Sequence, residues 1–213
     1  MSLTVLIDYE SGNLHSAEKA FERMARDADA GTVVVTSDAD VVARADRIVL
    51  PGDGAFPACA AALRGAGGVY EALVEAVADK GRPFLGICVG MQLMATMGRE
   101  YSDTPGLDWV PGDVVPIAPA DPTLKVPHMG WNDLVLDAEH AVFAGVTTGD
   151  HTYFVHSYHF RAAEPAHRLA HVDYGGEVTA VVGRDTMVGM QFHPEKSQDV
   201  GLRMIRNFLT WTP

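Results

Sequence analysis

Three short stretches carry residue types that could together perform acyl transfer. The first is Gly86-Ile87-Cys88-Val89-Gly90, where the apolar run "PFLGIC" passes into the helix-forming "VGMQLM". A strand that turns sharply into a helix pushes its central side chain out at the strand's C-terminal edge. Glycines two residues to either side are then needed, because a side chain there would meet neighbouring backbone. The N-terminus of the following helix favours thiolate, the reactive form of cysteine. The second stretch is "MQFHPEK", with His193 and Glu195. A thiol nucleophile needs a base and the base needs an orienting group; residues two apart on an extended segment face the same way, and Pro194 keeps His193 extended. The reading is a Cys88-His193-Glu195 relay in which Glu195 holds the imidazole tautomer. The third is "LPGDGAF", residues 50–56. Backbone N–H groups around Gly52 and Asp53, joined by that of Val89, are placed to meet a developing oxyanion. A phosphate cradle competes, but "AFPACAAAL" has no Walker lysine and the GxGxxG spacing is absent.

These residues need a scaffold that brings several strand ends together. Short β-rich runs, "LTVLID" (3–8), "TVVVT" (32–36), "RIVLP" (47–51) and "PFLGIC" (83–88), alternate with helical patterns near 14–27 and 68–80. That order predicts a mostly parallel sheet covered by helices on both faces, an α/β flavodoxin-like architecture. After Thr104 the texture becomes strand-like, through "WVPGDVVPI", "KVPHMGWNDLVL", "HTYFVHSYHF", "HRLAHVDY", "VTAVVG" and "MVGMQFHP", and a helix over about 197–211 closes the chain. With no repeat or long linker, residues 1–213 read as one domain whose β-rich second half extends the sheet or packs beside it. Gln92, one turn beyond Cys88, is expected to offer its amide to a substrate. Met91, Met94 and Met97 recur at core spacing.

Composition narrows the function. The 213 residues are 47% hydrophobic with a net charge of -12. That charge argues against nucleic acid as a partner. The start "MSLTVLIDYE" shows no basic leader, and no apolar run approaches the roughly 20 residues of a membrane helix, so a cytoplasmic protein is expected. Cys59 and Cys88 form no disulfide framework and lack CxxC spacing. His151, His156 and His159 have no neighbouring cysteine and alternate across a strand, so no zinc site is expected; no cofactor is expected of the chain either.

The motifs G-x-C-x-G-x-Q, here Gly86 to Gln92, and H-P-E, here His193 to Glu195, resemble those of the class I, or triad-type, glutamine amidotransferases. Within that class "DYESGNLHS" (8–16), "LPGDGAF", "VPHMGWN" (126–132) and "YFVHSYHF" (153–160) resemble the glutaminase subunits of imidazole glycerol phosphate synthases, of histidine biosynthesis. The resemblance runs from end to end. It implies that Cys88, His193 and Glu195 are catalytic, that Gln92, Ser157 and Tyr158 contact L-glutamine, and that Gly52 and its neighbours form the oxyanion strand. It also implies a (βα)8 cyclase partner docked over the active-site mouth, where Asn13, His128, Met129 and Trp131 are expected. Glu10 and Asp53 are acidic where many relatives have small or aliphatic residues, and a carboxylate beside an oxyanion is unfavourable unless it points away. Two alternatives stay open: a glutaminase serving another synthase, and a regulatory module of this fold without chemistry.

Overall fold

The structure is a computed structural model that describes residues 2–11 and 14–213. The first half contains β1 (Leu3–Ile7), α1 (Leu14–Asp27), β2 (Thr32–Thr36), α2 (Ala39–Ala43), β3 (Arg47–Gly52), α3 (Phe56–Gly65), α4 (Val69–Val74, running on through a wider turn, Glu75–Asp79), β4 (Phe84–Cys88) and α5 (Val89–Gln92). Short strands dominate the rest: β5 (Met97–Gly98), β6 (Thr104–Pro105), β7 (Gly112–Pro116), β8 (His128–Asp133), β9 (Val135–Leu136), β10 (His151–His156), β11 (Tyr158–Ala162), β12 (Arg168–Asp173), β13 (Glu177–Arg184) and β14 (Met187–Met190), before α6 (Gln198–Thr210).

The main sheet has eight strands in the order β2-β1-β3-β4-β14-β13-β12-β9. Its first five strands are parallel, and the last three pair antiparallel. Every residue of β4 and β14 is buried, which explains their unbroken apolar character: strands covered on both faces have no polar side to alternate with. The covering helices carry the expected stripe. In α1 the buried residues are Ala17, Ala20, Phe21, Met24 and Ala25, and in α6 Gly201, Met204, Ile205, Phe208 and Leu209, the same i, i+3, i+4, i+7, i+8 spacing in each. The two helices pack against each other.

The β-rich half does both things expected of it. Strands β9 and β12–β14 extend the main sheet, while β11-β7-β5-β6 and β10-β8 form two smaller sheets beside it. The run "HTYFVHSYHF" is therefore not one strand, because it breaks at Ser157 and its halves join different sheets. The helix expected after Cys88 is a single turn. Met91, Leu93, Met94 and Ala95 are all buried, so this segment has no solvent face along which a longer helix could run. Among the described residues, no helix is long and apolar enough to cross a membrane.

Candidate active site

Three adjacent strands of the main sheet, β3, β4 and β14, end at one edge and deliver the three motifs there. Cys88 closes β4 with φ 55° and ψ −113°, a conformation that a residue bearing Cβ adopts only under strain, of order 1–3 kcal/mol. The flanking glycines have the steric role expected of them. A Cβ on Gly86 would lie 2.6 Å from the Gly90 carbonyl oxygen, and one on Gly90 would collide with the carbonyl of Leu50. As the first residue of α5, Val89 has an N–H without an intrahelical acceptor, which leaves it available beside the sulfur. The dipole of one turn is small, so this local donor matters more than a helix field.

His193 and Glu195 are brought together differently from expectation. Strand β14 ends at Met190, and Pro194–Lys196 form a tight helical turn, so the contact is made across that turn and not along an extended strand. His193 itself is extended, at φ −94° and ψ 99°. Its Nδ1 lies 2.9 Å from Glu195 Oε1, and both side chains are almost fully buried. A carboxylate at Nδ1 directs Nε2 away from Glu195, and the nearby Cys88 sulfur adds to the pull toward a charged ring. Burial opposes the charged imidazole, but hydrogen bonds and charge from Cys88 and Glu195 outweigh it and push His193 up to about 10. Ser197, buried and absent from the expected set, fixes the turn: its Oγ donates to the His193 carbonyl (2.7 Å) and accepts the Tyr153 N–H (3.0 Å).

Gly52 lies in register opposite Cys88. A Cβ there would sit 2.7 Å from the Gly90 nitrogen and 2.8 Å from the Tyr9 hydroxyl, so glycine is what lets loop and elbow touch. Asp53 is exposed, and its N–H is turned onto Ser11 Oγ (3.3 Å), which in turn donates to the Asp53 carbonyl (2.8 Å). In this arrangement the donor expected from Asp53 is therefore occupied. Cys59 supports the same loop, with Sγ 3.2 Å from Ser11 Oγ and 3.5 Å from the Asp53 carbonyl; burial pushes its thiol up, which suits packing better than attack.

A cleft of about 260 Å³ opens onto Cys88, with Asp53, Gln92, Glu100, Ser157 and Tyr158 among its walls. Gln92 is 3% exposed, and its Nε2 donates to the Tyr158 carbonyl and to Gln191 Oε1, both at 3.0 Å. Its expected contact with substrate thus falls to its remaining acceptor. Glu100, unforeseen, is a buried carboxylate held by the N–H of Phe56 (2.7 Å) at the start of α3.

Behind the cleft lies a buried histidine pair whose protons can be assigned by elimination. His156 Nδ1 must donate to the Tyr158 carbonyl (2.8 Å), so its Nε2 accepts from His128 Nδ1 (3.0 Å), and His128 Nε2 accepts from Asn132 Nδ2 (3.3 Å). Burial holds both rings below the ordinary histidine range, His156 at about 3 and His128 at about 4. With folded values below the unfolded 6.5, the stability gained from neutral rings is complete above that pH and is lost as pH falls toward 4 and 3. His193, raised, behaves oppositely and loses its contribution only as pH climbs toward 10. For His156 alone the loss at pH 5 is about 2 kcal/mol. Urea unfolding at pH 7 and pH 5 is expected to show at least this fall, reduced in His156→Gln; an undiminished fall in that variant would place the acid sensitivity elsewhere.

The expected docking residues divide. Met129 and Trp131 are 62% and 47% exposed; Val126 (45%) and Tyr101 (86%) are exposed as well. His128 is only 2% exposed and cannot be a surface contact, because successive residues of β8 face opposite ways and His128 takes the inner side. Asn13 lies outside the described residues.

A family model described as Glutamine amidotransferase class-I matches residues 5–211, and the chain belongs to that family. It is 77% identical to the Imidazole glycerol phosphate synthase subunit HisH of Ruegeria pomeroyi, over 99% of this chain and 100% of the relative. To the protein of the same name from Cereibacter sphaeroides it is 67% identical, again over 99% and 100%. Among solved structures, a glutamine amidotransferase matches with a TM-score of 0.71 at 18% identity, over 96% of each chain. PurLQS from Thermotoga maritima gives 0.66 at 17%, over 98% of this chain and 97% of that one. At such identity these two establish the shared fold.

Proposed function

We propose that the chain is the glutaminase subunit of an imidazole glycerol phosphate synthase, hydrolysing L-glutamine and passing ammonia to a cyclase subunit. The observation that carries this is Cys88 on a strained strand end, facing a His193–Glu195 pair, in a chain that is 77% identical over its length to a subunit of that synthase. The Cys88 thiolate attacks the side-chain amide carbon of glutamine. Negative charge collects on the amide oxygen, stabilised by the Val89 N–H and by backbone donors near Gly52. His193 then gives its proton to the departing nitrogen, which leaves as ammonia, and a glutamyl thioester remains. Water loses a proton to His193 and attacks the thioester, releasing glutamate and restoring Cys88. Free ammonia would be protonated and diluted in bulk water, so it passes directly to the cyclase. There it combines with a phosphoribulosyl formimino carboxamide nucleotide to give imidazole glycerol phosphate and an aminoimidazole carboxamide nucleotide. Met129 and Trp131, exposed on β8, which pairs with the strand that carries the cleft residues Val155 and His156, suit the partner's docking face.

The test is acid quenching of the assembled synthase during turnover, followed by mass analysis of the peptide bearing Cys88. A glutamyl adduct on that cysteine is expected, and glutamine hydrolysis without any adduct overturns the mechanism. Glu100 supplies a further expectation. A buried carboxylate in the cleft suits the α-ammonium of glutamine, so Glu100→Gln should raise the KM for glutamine about tenfold or more, with a smaller change in kcat. An unchanged KM, measured by steady-state glutaminase assay, would remove Glu100 from substrate binding.

A further inference from the structure

Gln191, fully buried two residues before His193, is the link between Gln92 and Cys88 in a directed chain of hydrogen bonds. The direction starts at the Tyr158 backbone. A carbonyl can only accept, so the amide end of Gln92 that lies 3.0 Å from it is the nitrogen. The same nitrogen is 3.0 Å from the Gln191 amide, which must therefore present its oxygen there. Gln191 is left with Nε2 on the far side, 3.9 Å from Cys88 Sγ. His156 Nδ1 donates to the same Tyr158 carbonyl, so that oxygen has two donors and no freedom to turn.

We propose that Gln191 donates an N–H to the Cys88 thiolate, with the direction of its amide imposed by Gln92 on the Tyr158 carbonyl. This deepens the glutaminase reading and rests on Cys88 as nucleophile. A long N–H···S contact is weak to a neutral thiol and strengthens when sulfur carries charge. It therefore favours the thiolate before attack and is weakened once the sulfur is acylated. His193 does a different job, since it moves a proton, whereas Gln191 keeps its own. Among the described residues, the other titratable groups around the sulfur are Tyr9 beyond β1, Cys59 of α3, Asp53 after β3, and Glu100, His156 and Tyr158 in the cleft wall, with Glu195 behind His193. None is a fixed cation, which leaves the thiolate dependent on His193 and on neutral donors.

The experiment needs neither glutamine nor partner: alkylation of the full chain by iodoacetamide at pH 7 and at pH 10, followed on the Cys88 peptide by mass spectrometry. Gln191→Leu and Gln191→Met each fill the space and remove the donor. Each should slow alkylation about tenfold at pH 7 and by less than twofold at pH 10, where hydroxide can ionise the thiol without help. Gln92→Glu, which cannot hold the Gln191 oxygen, should reproduce the selective loss and decides the matter if the Gln191 variants do not fold. Wild-type rates at pH 7 in the folded variants overturn the proposal. So does an equal loss at both pH values, which would signal altered packing. An unreactive Cys88 in the wild-type chain would overturn the nucleophile assignment as well, a result distinct from either.

Discussion

Cys88→Ala is expected to abolish glutamine-supported synthesis by the assembled enzyme, by at least about 10⁴-fold, while synthesis from added ammonium salt stays within about twofold of the wild type. The contrast follows from what the substitution removes. Alanine keeps the Cβ, so the strained backbone at φ 55° and the packing of the elbow change little, and only the nucleophile is lost. Ammonia supplied from solution bypasses the missing thioester. His193→Ala should lose nearly as much, since the proton carrier disappears. Glu195→Ala should lose less, because orienting a base matters less than being one. Parallel assays with glutamine and with ammonium chloride measure both arms, and retained glutaminase activity in Cys88→Ala would sink the triad.

The second large effect concerns the oxyanion loop. The isolated chain is expected to be nearly silent, and glutaminase turnover should rise at least a hundredfold across three states: chain alone, chain with its cyclase, and chain with cyclase and acceptor nucleotide. A hundredfold corresponds to about 2.7 kcal/mol of barrier. The reason lies at Asp53, whose N–H is spent on Ser11 Oγ while Ser11 and Cys59 both hold its carbonyl. A donor so engaged gives nothing to an oxyanion until the loop is re-aimed. Ser11→Ala should therefore raise the basal rate of the isolated chain and compress the range. A fully active isolated chain would refute the gating idea and leave the triad chemistry standing.

The motifs that meet at the candidate site are legible in the sequence because each is local. A cysteine flanked by glycines and an H-P-E after an apolar run are strand-end signatures, and adjacent parallel strands bring such ends together without further information. The helical stripes of α1 and α6 are legible for the same reason. Helix α3 escapes that reading within "AFPACAAAL", although Pro57 near its start and the alanines after it are helix signals. His128 is misplaced when "HMGWN" is treated as one surface patch; period-2 alternation separates it from Met129 and Trp131. Other features lie beyond local reading. The break at Ser157 depends on two sheets claiming the two halves of one apolar run, and Glu100 enters the cleft through a bond to Phe56, 44 residues away. Gln191 is half-legible, since its spacing from His193 can be seen but its amide partners cannot.

The backbone at Cys88 sets two selective pressures against each other. A left-handed φ at a position with a Cβ is a standing loss of stability that glycine would relieve, and the flanking glycines already make that turn easy to form. A variant library sorted only for thermal resistance should therefore drift toward glycine at position 88 and discard the thiol. If Cys88 is the nucleophile proposed above, cysteine persists there through selection on turnover, which makes this residue the point where improving the fold and improving the enzyme part company.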